Sequence, residues 1–150
     1  MRTVLPAVLL LVANAACISY APPARFLVTE RTCDEAKALT PEESKVWLRT
    51  FEDDKRGGLA FWVDALKDDL LKTRGYILIE ESEVQTGGGT PGKALVLETS
   101  PQGRATRELL AVFVNSGLFA DEIRVLEYVA EQPAFMQEVG GVRGSLKSLR

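Results

Sequence analysis

The spacing of apolar residues between positions 59 and 74 predicts an amphipathic helix. Five apolar residues recur there at the three- and four-residue intervals that place side chains on one helix face; they are Leu59, Trp62, Val63, Leu66 and Leu70. Lys72 and Arg74 fall in the last turn, where positive charge interacts favourably with the helix dipole. Gly75 follows, and glycine here is typical of the left-handed residue that ends a helix.

Four short apolar runs follow this helix, and the connections between them contain glycine. The runs cover residues 76–79 leading into 85, 94–98, 108–114 and 123–129. Glycine-bearing connections between short apolar runs are typical of β-hairpins. The pattern therefore predicts an antiparallel meander of four strands.

A second helix is predicted from Pro133 to the end of the chain. Its apolar residues keep to one face over four turns; they are Phe135, Val139, Val142, Leu146 and Leu149. Gly140, Gly141 and Gly144 interrupt it, at a cost of about 1 kcal/mol each relative to alanine. Two interpretations stay open, either close packing of the helix on the sheet or a weak, frayed helix.

The region before the first helix is less regular. Residues 25–30 indicate a first strand, and residues 46–51 are rich in β-branched and aromatic side chains, which favours a second strand. Between them, residues 34–44 are polar and ambiguous. Thr40 to Glu43 match a helix-capping box with proline at the first helical position, so one helix over 41–51 is the alternative.

The predicted order of elements is β-β-α-β-β-β-β-α. Helices that flank a run of antiparallel strands predict an α+β fold in which helices pack on the sheet. No element repeats at a fixed period.

This order and its apolar pattern resemble the PsbP-like family over residues 46–149. The resemblance is carried by the helix 59–74, the strands 76–79, 94–98, 109–114 and 125–129, and the closing helix with Phe135 and Leu146. It implies an antiparallel sheet between helices, an α/β/α sandwich. The family includes a nuclear-import factor that binds a small GTPase and bacterial envelope lipoproteins, so it implies binding of other proteins. It supplies no active site to carry over.

The first sixteen residues predict a secretory signal peptide. Arg2 supplies a positive start, an apolar run over 4–13 is broken only by Pro6, and small residues precede Cys17. The run is shorter than the roughly 20 residues needed to cross a bilayer as a helix.

The residues Asn14-Ala15-Ala16-Cys17 resemble the cleavage site of bacterial lipoprotein signals. The resemblance implies cleavage before Cys17, which would then carry lipid acyl chains such as palmitate. Asn14 departs from the pattern, which usually has an apolar residue there. Ile18 is not the aspartate that retains enteric lipoproteins at the inner membrane, so outer-membrane transport is implied.

Two other fates of this segment stay open. Ordinary secretion would leave Cys17 as a plain thiol that could pair with Cys33, and an uncleaved segment would act as an anchor. With lipid on Cys17, Cys33 would be a lone thiol. Residues 17–24, with Pro22 and Pro23, are interpreted as a lipid-anchored tether, and 25–150 as a single domain.

Composition excludes several kinds of chemistry. The chain has no histidine, which removes histidine-based triads, most zinc sites and haem ligation. We therefore predict no catalytic residues, no metal and no cofactor. The net charge of −3 gives no attraction to nucleic acid.

Two polar segments invite a chemical interpretation. Gly87 to Ala94 nearly fits a phosphate-binding loop and places Lys93 at its lysine, but Ala94 lacks the hydroxyl that binds magnesium. A strand also follows where a helix is required, so a hairpin loop is favoured.

Glu80, Glu81 and Glu83 form a carboxylate cluster, with Glu81 and Glu83 on one strand face. A solvated strand end is favoured over a cation site.

Glu127 lies inside an otherwise apolar strand. It is interpreted as pointing to solvent, with burial and pairing to Arg124 or Arg107 as the alternative.

The leading hypothesis is a non-enzymatic envelope lipoprotein that faces the periplasm. It would be held to the membrane by lipid on Cys17 and would serve as a binding or accessory module for a periplasmic or outer-membrane assembly, with an envelope protein as partner. Two other classes stay open. One is a carboxylate hydrolase that uses residues 80–83, and the other is a small lipid or ligand carrier with a pocket between sheet and helix.

Overall fold

In the computed structural model, which describes residues 17–150, an antiparallel sheet of seven strands lies between two helices. Its strands lie in the order β1-β2-β3-β7-β6-β5-β4. The strand bounds are β1 Leu27–Arg31, β2 Glu35–Leu39, β3 Lys45–Asp53, β4 Ile77–Gln85, β5 Pro91–Thr99, β6 Thr106–Asn115 and β7 Asp121–Glu131. The helices are α1 Gly58–Asp68 and α2 Gln132–Ser145. The α+β class and the α/β/α sandwich are confirmed.

The structure has three strands before α1, where two were predicted. The additional strand is β2, which alternates buried Ala36 and Ala38 with more exposed neighbours and pairs along its length with β3. Its sequence is made of alanine, lysine, glutamate and leucine, which favour helices, so pairing with β3 overrides local propensity.

A tight turn, not a helix, begins at the predicted capping box. The Thr40 hydroxyl accepts a hydrogen bond from the Ser44 amide at 3.1 Å, and Glu43 adopts a left-handed backbone conformation with φ of 66°. The turn joins β2 to β3 as a hairpin. The strand over 46–51 is confirmed, and the alternative helix over 41–51 is wrong.

The first predicted helix is confirmed within its bounds. After α1 the chain continues as a wider π-helical turn over Asp69–Thr73, and Gly75 follows with φ of 71°. Val63 and Leu70 are buried from this segment against β5, β6 and β7. The four-strand meander is also confirmed, because β4 to β7 pair antiparallel in sequence order.

Helix α2 covers the opposite face of the sheet and buries Phe135 and Val142 there. Tyr128 from β7 stacks on Phe135 at 5.2 Å between ring centroids, and its hydroxyl donates a 2.8 Å hydrogen bond to buried Glu138. The closing helix is confirmed over Gln132–Ser145, whereas Leu146–Ser148 form a 3-10 turn and Leu149 is extended.

Two of the helix glycines do not pack on the sheet. A side-chain carbon on Gly140 or Gly144 would meet nothing within 4 Å, and one on Gly141 would only touch Pro23. The interpretation of close packing is therefore wrong for Gly140 and Gly144.

Residues at the start of the predicted tether are part of the core. Ile18 and Tyr20 are buried, and the Tyr20 hydroxyl lies 2.9 Å from the Ser145 hydroxyl on α2. The Ser19 carbonyl accepts a hydrogen bond from the Arg150 amide at 3.3 Å. Residues 17–24 are interpreted from the sequence as a lipid-anchored tether that precedes the domain, and Ile18 and Tyr20 in this stretch contribute to the domain core. The predicted signal peptide, residues 1–16, lies outside the described residues.

Candidate functional site: a groove between α1 and β3

Helix α1 covers only part of its face of the sheet. It packs over β5, β6 and the nearer side of β7, and it leaves the same face of β3 without a helix. Trp47, Arg49 and Phe51 from β3 point to this face, and Phe51 is 46% exposed. An open groove of about 440 Å³ results between α1 and β3.

Most of the groove is apolar. Its apolar lining is shared by α1 and the strands β3 and β7, and consists of Phe51, Trp62, Leu66, Ile123 and Val125. The indole of Trp62 is fixed by a 2.9 Å hydrogen bond from its Nε1 to Asp53. The Trp62 indole and the Gly57 amide both donate to the Asp53 carboxylate and hold its pKa below the usual range. The groove wall is therefore pre-positioned.

One end of the groove is lined by two arginines. Arg49 stacks over the Trp47 ring at 3.9 Å and donates a 2.9 Å hydrogen bond to Glu127 on β7. Its Nε is buried and has no acceptor within residues 17–150. Arg74, which follows α1, is paired with Asp69 at 2.8 Å.

A buried carboxyl group lies beside these arginines. Glu108 on β6 is 6% exposed, and it accepts no hydrogen bond from the part of the chain that the structure describes. It borders a cavity of about 100 Å³ that adjoins the groove and is also lined by Arg49, Arg74, Tyr76 and Glu127. Burial, assisted by the negative charge of Glu127, raises the pKa of Glu108 to about 7. Burial also raises the pKa of Tyr76.

This arrangement is suited to binding. The groove offers apolar surface, and its polar end offers a free donor at Arg49 and the buried carboxyl of Glu108. A protonated carboxyl beside an ionised one also occurs in carboxylate hydrolases. Two features do not favour a hydrolase here. Glu127 accepts a hydrogen bond from Arg49, and the cavity of about 100 Å³ at Glu108 is far smaller than the roughly 300–1,000 Å³ of typical ligand pockets.

The predicted carboxylate cluster is divided between the two sheet faces. Glu80 pairs with Arg143 of α2 at 2.8 Å, whereas Glu81 pairs with Lys67 of α1 at 2.7 Å and Glu83 lies 3.6 Å from Lys93. Each carboxylate therefore has a cation from the protein. Residues 17–150 contain no group of three or more potential ligands arranged to hold a metal ion.

The glycine-rich segment is a hairpin loop, as favoured from the sequence. Lys93 lies within β5, which continues as a strand where a phosphate-binding loop requires a helix. Gly87 in the preceding turn lies against the backbone carbonyl of Lys147, so this position has no room for a side chain.

Glu127 is half-buried and paired, so the interpretation of a solvent-facing side chain is wrong. Its partner is Arg49, whereas Arg124 pairs with Glu122 and Arg107 with Glu98. Arg49, Arg74 and Glu108 were not identified from the sequence. The one available signal was that Glu108 opens an apolar strand, as Glu127 interrupts one.

Cys17 and Cys33 form a disulfide, which is the pairing left open for an unlipidated chain. The Ile18 amide donates to the Cys33 carbonyl at 3.1 Å beside it. The same Cys17 sulfur cannot carry both a lipid and this disulfide, so a lipidated chain is a different covalent form. Within residues 17–150, no helix is long and apolar enough to cross a membrane.

No protein-family model matches the sequence, and no curated protein sequence matches it. Solved structures do match, and they share one class of fold, the mixed α+β sandwich of PsbP-like and Mog1-like proteins.

Three of these structures illustrate the likeness. LpqN, involved in cell envelope biogenesis of Mycobacterium tuberculosis, has a TM-score of 0.66 at 14% identity, over 85% of this chain and 80% of LpqN. Cyanobacterial PsbP from Synechocystis has 0.64 at 10% identity, over 91% and 88%. The Ran-binding protein Mog1p of Saccharomyces cerevisiae has 0.52 at 12% identity, over 90% and 84%. At such identities the likeness establishes the fold alone.

Proposed function

We propose that this protein is a non-enzymatic accessory module of the bacterial cell envelope, which binds a segment of a partner protein in the groove between α1 and β3. The observation that carries the proposal is the groove itself, an open slot with an apolar lining and an incompletely paired polar end. The similar folds of LpqN, involved in cell envelope biogenesis, and of Mog1p, a Ran-binding protein, support a binding role in the envelope.

The chemistry of the groove defines the segment that it would accept. An aliphatic or aromatic side chain would bury apolar area against Phe51, Leu66 and Val125. The Arg49 Nε would donate to a backbone carbonyl, and a lysine or arginine of the partner would lie near Glu108. Leaving either group without a partner in a buried site is costly, so such contacts give selectivity.

The binding site can be tested by photo-crosslinking in cells. A photoreactive phenylalanine analogue placed at Phe51 should yield a covalent adduct of one defined mass. The matched control is Ile79 on the far edge strand, because the two side chains are almost equally exposed, at 46% and 47%. Equal adducts at both positions, or none at Phe51, would contradict the proposed groove.

The proposal also places the protein on the membrane through lipid on Cys17. Replacing Cys17 by serine should then release the protein from the membrane fraction and abolish incorporation of labelled fatty acid. Cys33→Ser is the matched control, since it breaks the same disulfide and leaves the lipid acceptor intact. If Cys33→Ser leaves the membrane fraction as Cys17→Ser does, the disulfide and not the lipid explains the role of Cys17. A Cys17→Ser variant that stays in the membrane fraction would contradict the lipid anchor.

A small-ligand carrier is the second candidate, favoured by one observation. The groove volume of about 440 Å³ falls within the range of pockets that hold small molecules. Native mass spectrometry of the protein purified from membranes would show an added mass that Phe51→Asp removes and Ile79→Asp retains.

A further inference from the structure

Several connections of the fold lie at one end of the sheet. Strand pairing sets Glu35 opposite Arg49, Asp53 opposite Asp121, and Asn115 opposite Glu122. The β1–β2 turn, the β3–α1 connection and the β6–β7 loop therefore emerge at the same end. Cys17 is also there, because the amide of the next residue, Ile18, donates a 3.1 Å hydrogen bond to the Cys33 carbonyl in the β1–β2 turn. We name this end of the sheet the Cys17 end.

The β6–β7 loop presents two large apolar side chains at the Cys17 end. Leu118 is 85% exposed and Phe119 is 88% exposed, more than any other large hydrophobic residue in the described chain. The loop is held in place by Arg56, which donates hydrogen bonds to the carbonyls of Gly117 at 3.1 Å and Leu118 at 2.7 Å. Two adjacent apolar side chains in a fixed loop are costly to leave in water.

The anchor of the proposed function indicates what covers this loop. Cleavage would remove residues 1–16 with their apolar run 4–13, and the lipid would then be carried by Cys17, where the chain enters the domain. Ile18 and Tyr20 are already part of the core, so there is no slack between Cys17 and the domain. An anchor at this point would hold the Cys17 end directly against a bilayer.

From this geometry we propose that the Cys17 end lies on the membrane surface and that Leu118 and Phe119 enter the lipid interface. The inference rests on the proposed membrane anchoring at the N-terminus of the domain. The β1–β2 turn lies about three strand spacings, or roughly 14 Å, from the β6–β7 loop across the sheet. Pairing at Arg49 also sets this turn back by four residues, or roughly 13 Å, from the end of β3, so a tilted sheet would bring both to one patch of bilayer. The inference does not depend on charge. Asp34 and Asp54 are exposed at this end together with Lys55, so the exposed charges there are mixed.

The test uses the full-length protein, purified from bacterial membranes and placed in phosphatidylethanolamine–phosphatidylglycerol vesicles with brominated acyl chains. Phe119→Trp adds an indole at the loop, and Met136→Trp adds one at the opposite end, where α2 begins; Met136 is 64% exposed. The fluorescence of each variant is compared with that of the wild type, which contains Trp47 and Trp62. We expect bromine to quench the added tryptophan at position 119 and to leave that at position 136 unchanged.

Sedimentation of the same vesicles separates the two proposals. Protein that sediments with the vesicles, with quenching at position 119 only, supports the inference. Protein that sediments with equal or no quenching at the two positions overturns the inference and leaves the anchor intact; the loop would then be a contact for another protein. Protein that remains in the supernatant overturns both the anchor and the inference.

Discussion

The two faces of the sheet differ in how completely they are covered. On the α2 face, helix α2, the N-terminal residues and the chain end together bury large side chains, including Leu48, Phe113 and Tyr128. On the α1 face, a helix of 11 residues and one wide turn leave β3 open to solvent. The comparison predicts that stability is concentrated on the α2 face, and the proposed function assigns binding to the α1 face.

The difference is already present within the single strand β3. Its residues facing α2 are the fully buried Val46 and Leu48, whereas those on the α1 face of the sheet include Trp47 and Arg49. The Arg49 side chain lies flat on the Trp47 ring, so long amphipathic side chains cover apolar surface without a helix above them. A partner could displace such a cover at little cost, unlike a packed core.

The strongest test of this comparison is a pair of substitutions on β3. Leu48→Ala should lower the free energy of unfolding by about 2–5 kcal/mol, because it leaves a cavity in the covered face. Phe51→Ala, three residues away in the groove, should cost less than about 1.5 kcal/mol, because its ring is already half-exposed. Urea denaturation measures both. Equal losses would show that the two faces carry stability alike.

The second test examines the buried carboxyl on the open face. The pKa of Glu108 is raised from 4.5 to about 7, so between these pH values the folded protein binds more protons than the unfolded chain. The wild type therefore loses stability as pH rises through this window. Glu108→Gln should remove this pH-dependent loss of stability, because glutamine does not ionise. The variant should match the wild type at pH 4 and exceed it above pH 7 by up to about 3 kcal/mol.

Thermal unfolding measured from pH 4 to pH 8 would check this dependence. Glu98→Gln on the neighbouring strand is the control, because Glu98 is paired with Arg107 at 3.3 Å. A constant difference between Glu108→Gln and the wild type across this range would show that folding does not shift the pKa of Glu108, which contradicts the prediction.

The smallest expected effect concerns the helix that covers the closed face. Gly140→Ala should raise the free energy of unfolding by up to about 1 kcal/mol, because the added carbon meets nothing within 4 Å and alanine favours the helix. Gly87→Ala is the contrasting control and should destabilise, since its carbon would collide with the Lys147 carbonyl. Calorimetry of both variants measures the difference. A loss of stability in Gly140→Ala would mean that the added carbon collides with another part of the protein, which contradicts the open space found at Gly140.

Elements with a clear apolar period could be predicted from sequence. Helix α1 and the β4–β7 meander are local patterns, in which spacing and the glycine-bearing turns agree. Strand β2 could not be predicted, because Glu35 to Leu39 has helix-favouring composition and becomes a strand only by pairing with β3. Thr40 and Pro41 match the pattern of a helix start, but here they form a turn. A threonine hydroxyl can accept a hydrogen bond from a backbone amide either at the start of a helix or in a tight turn, so the pattern does not distinguish the two.

The groove is a tertiary feature. The sequence suggested a pocket between sheet and helix only as an alternative, and it did not indicate which residues would line it. Arg49 and Glu127 are 78 residues apart, and only the pairing of β3 with β7 places them together. Glu108 is buried only in the folded chain, where Arg74 and Tyr76, which follow the π-helical turn, line the same small cavity. An isolated charged residue in an apolar strand indicates a buried polar site. The residue that pairs with that charge depends on which strands lie side by side, and the sequence does not show this order.

The disulfide at the N-terminus has a consequence for measurement. Each chain that carries lipid on Cys17 would leave Cys33 as one free thiol, and each chain with the disulfide has none. A thiol titration of the denatured protein would therefore report the lipidated fraction as a stoichiometry between zero and one. The free thiol of Cys33 then reports whether Cys17 carries lipid.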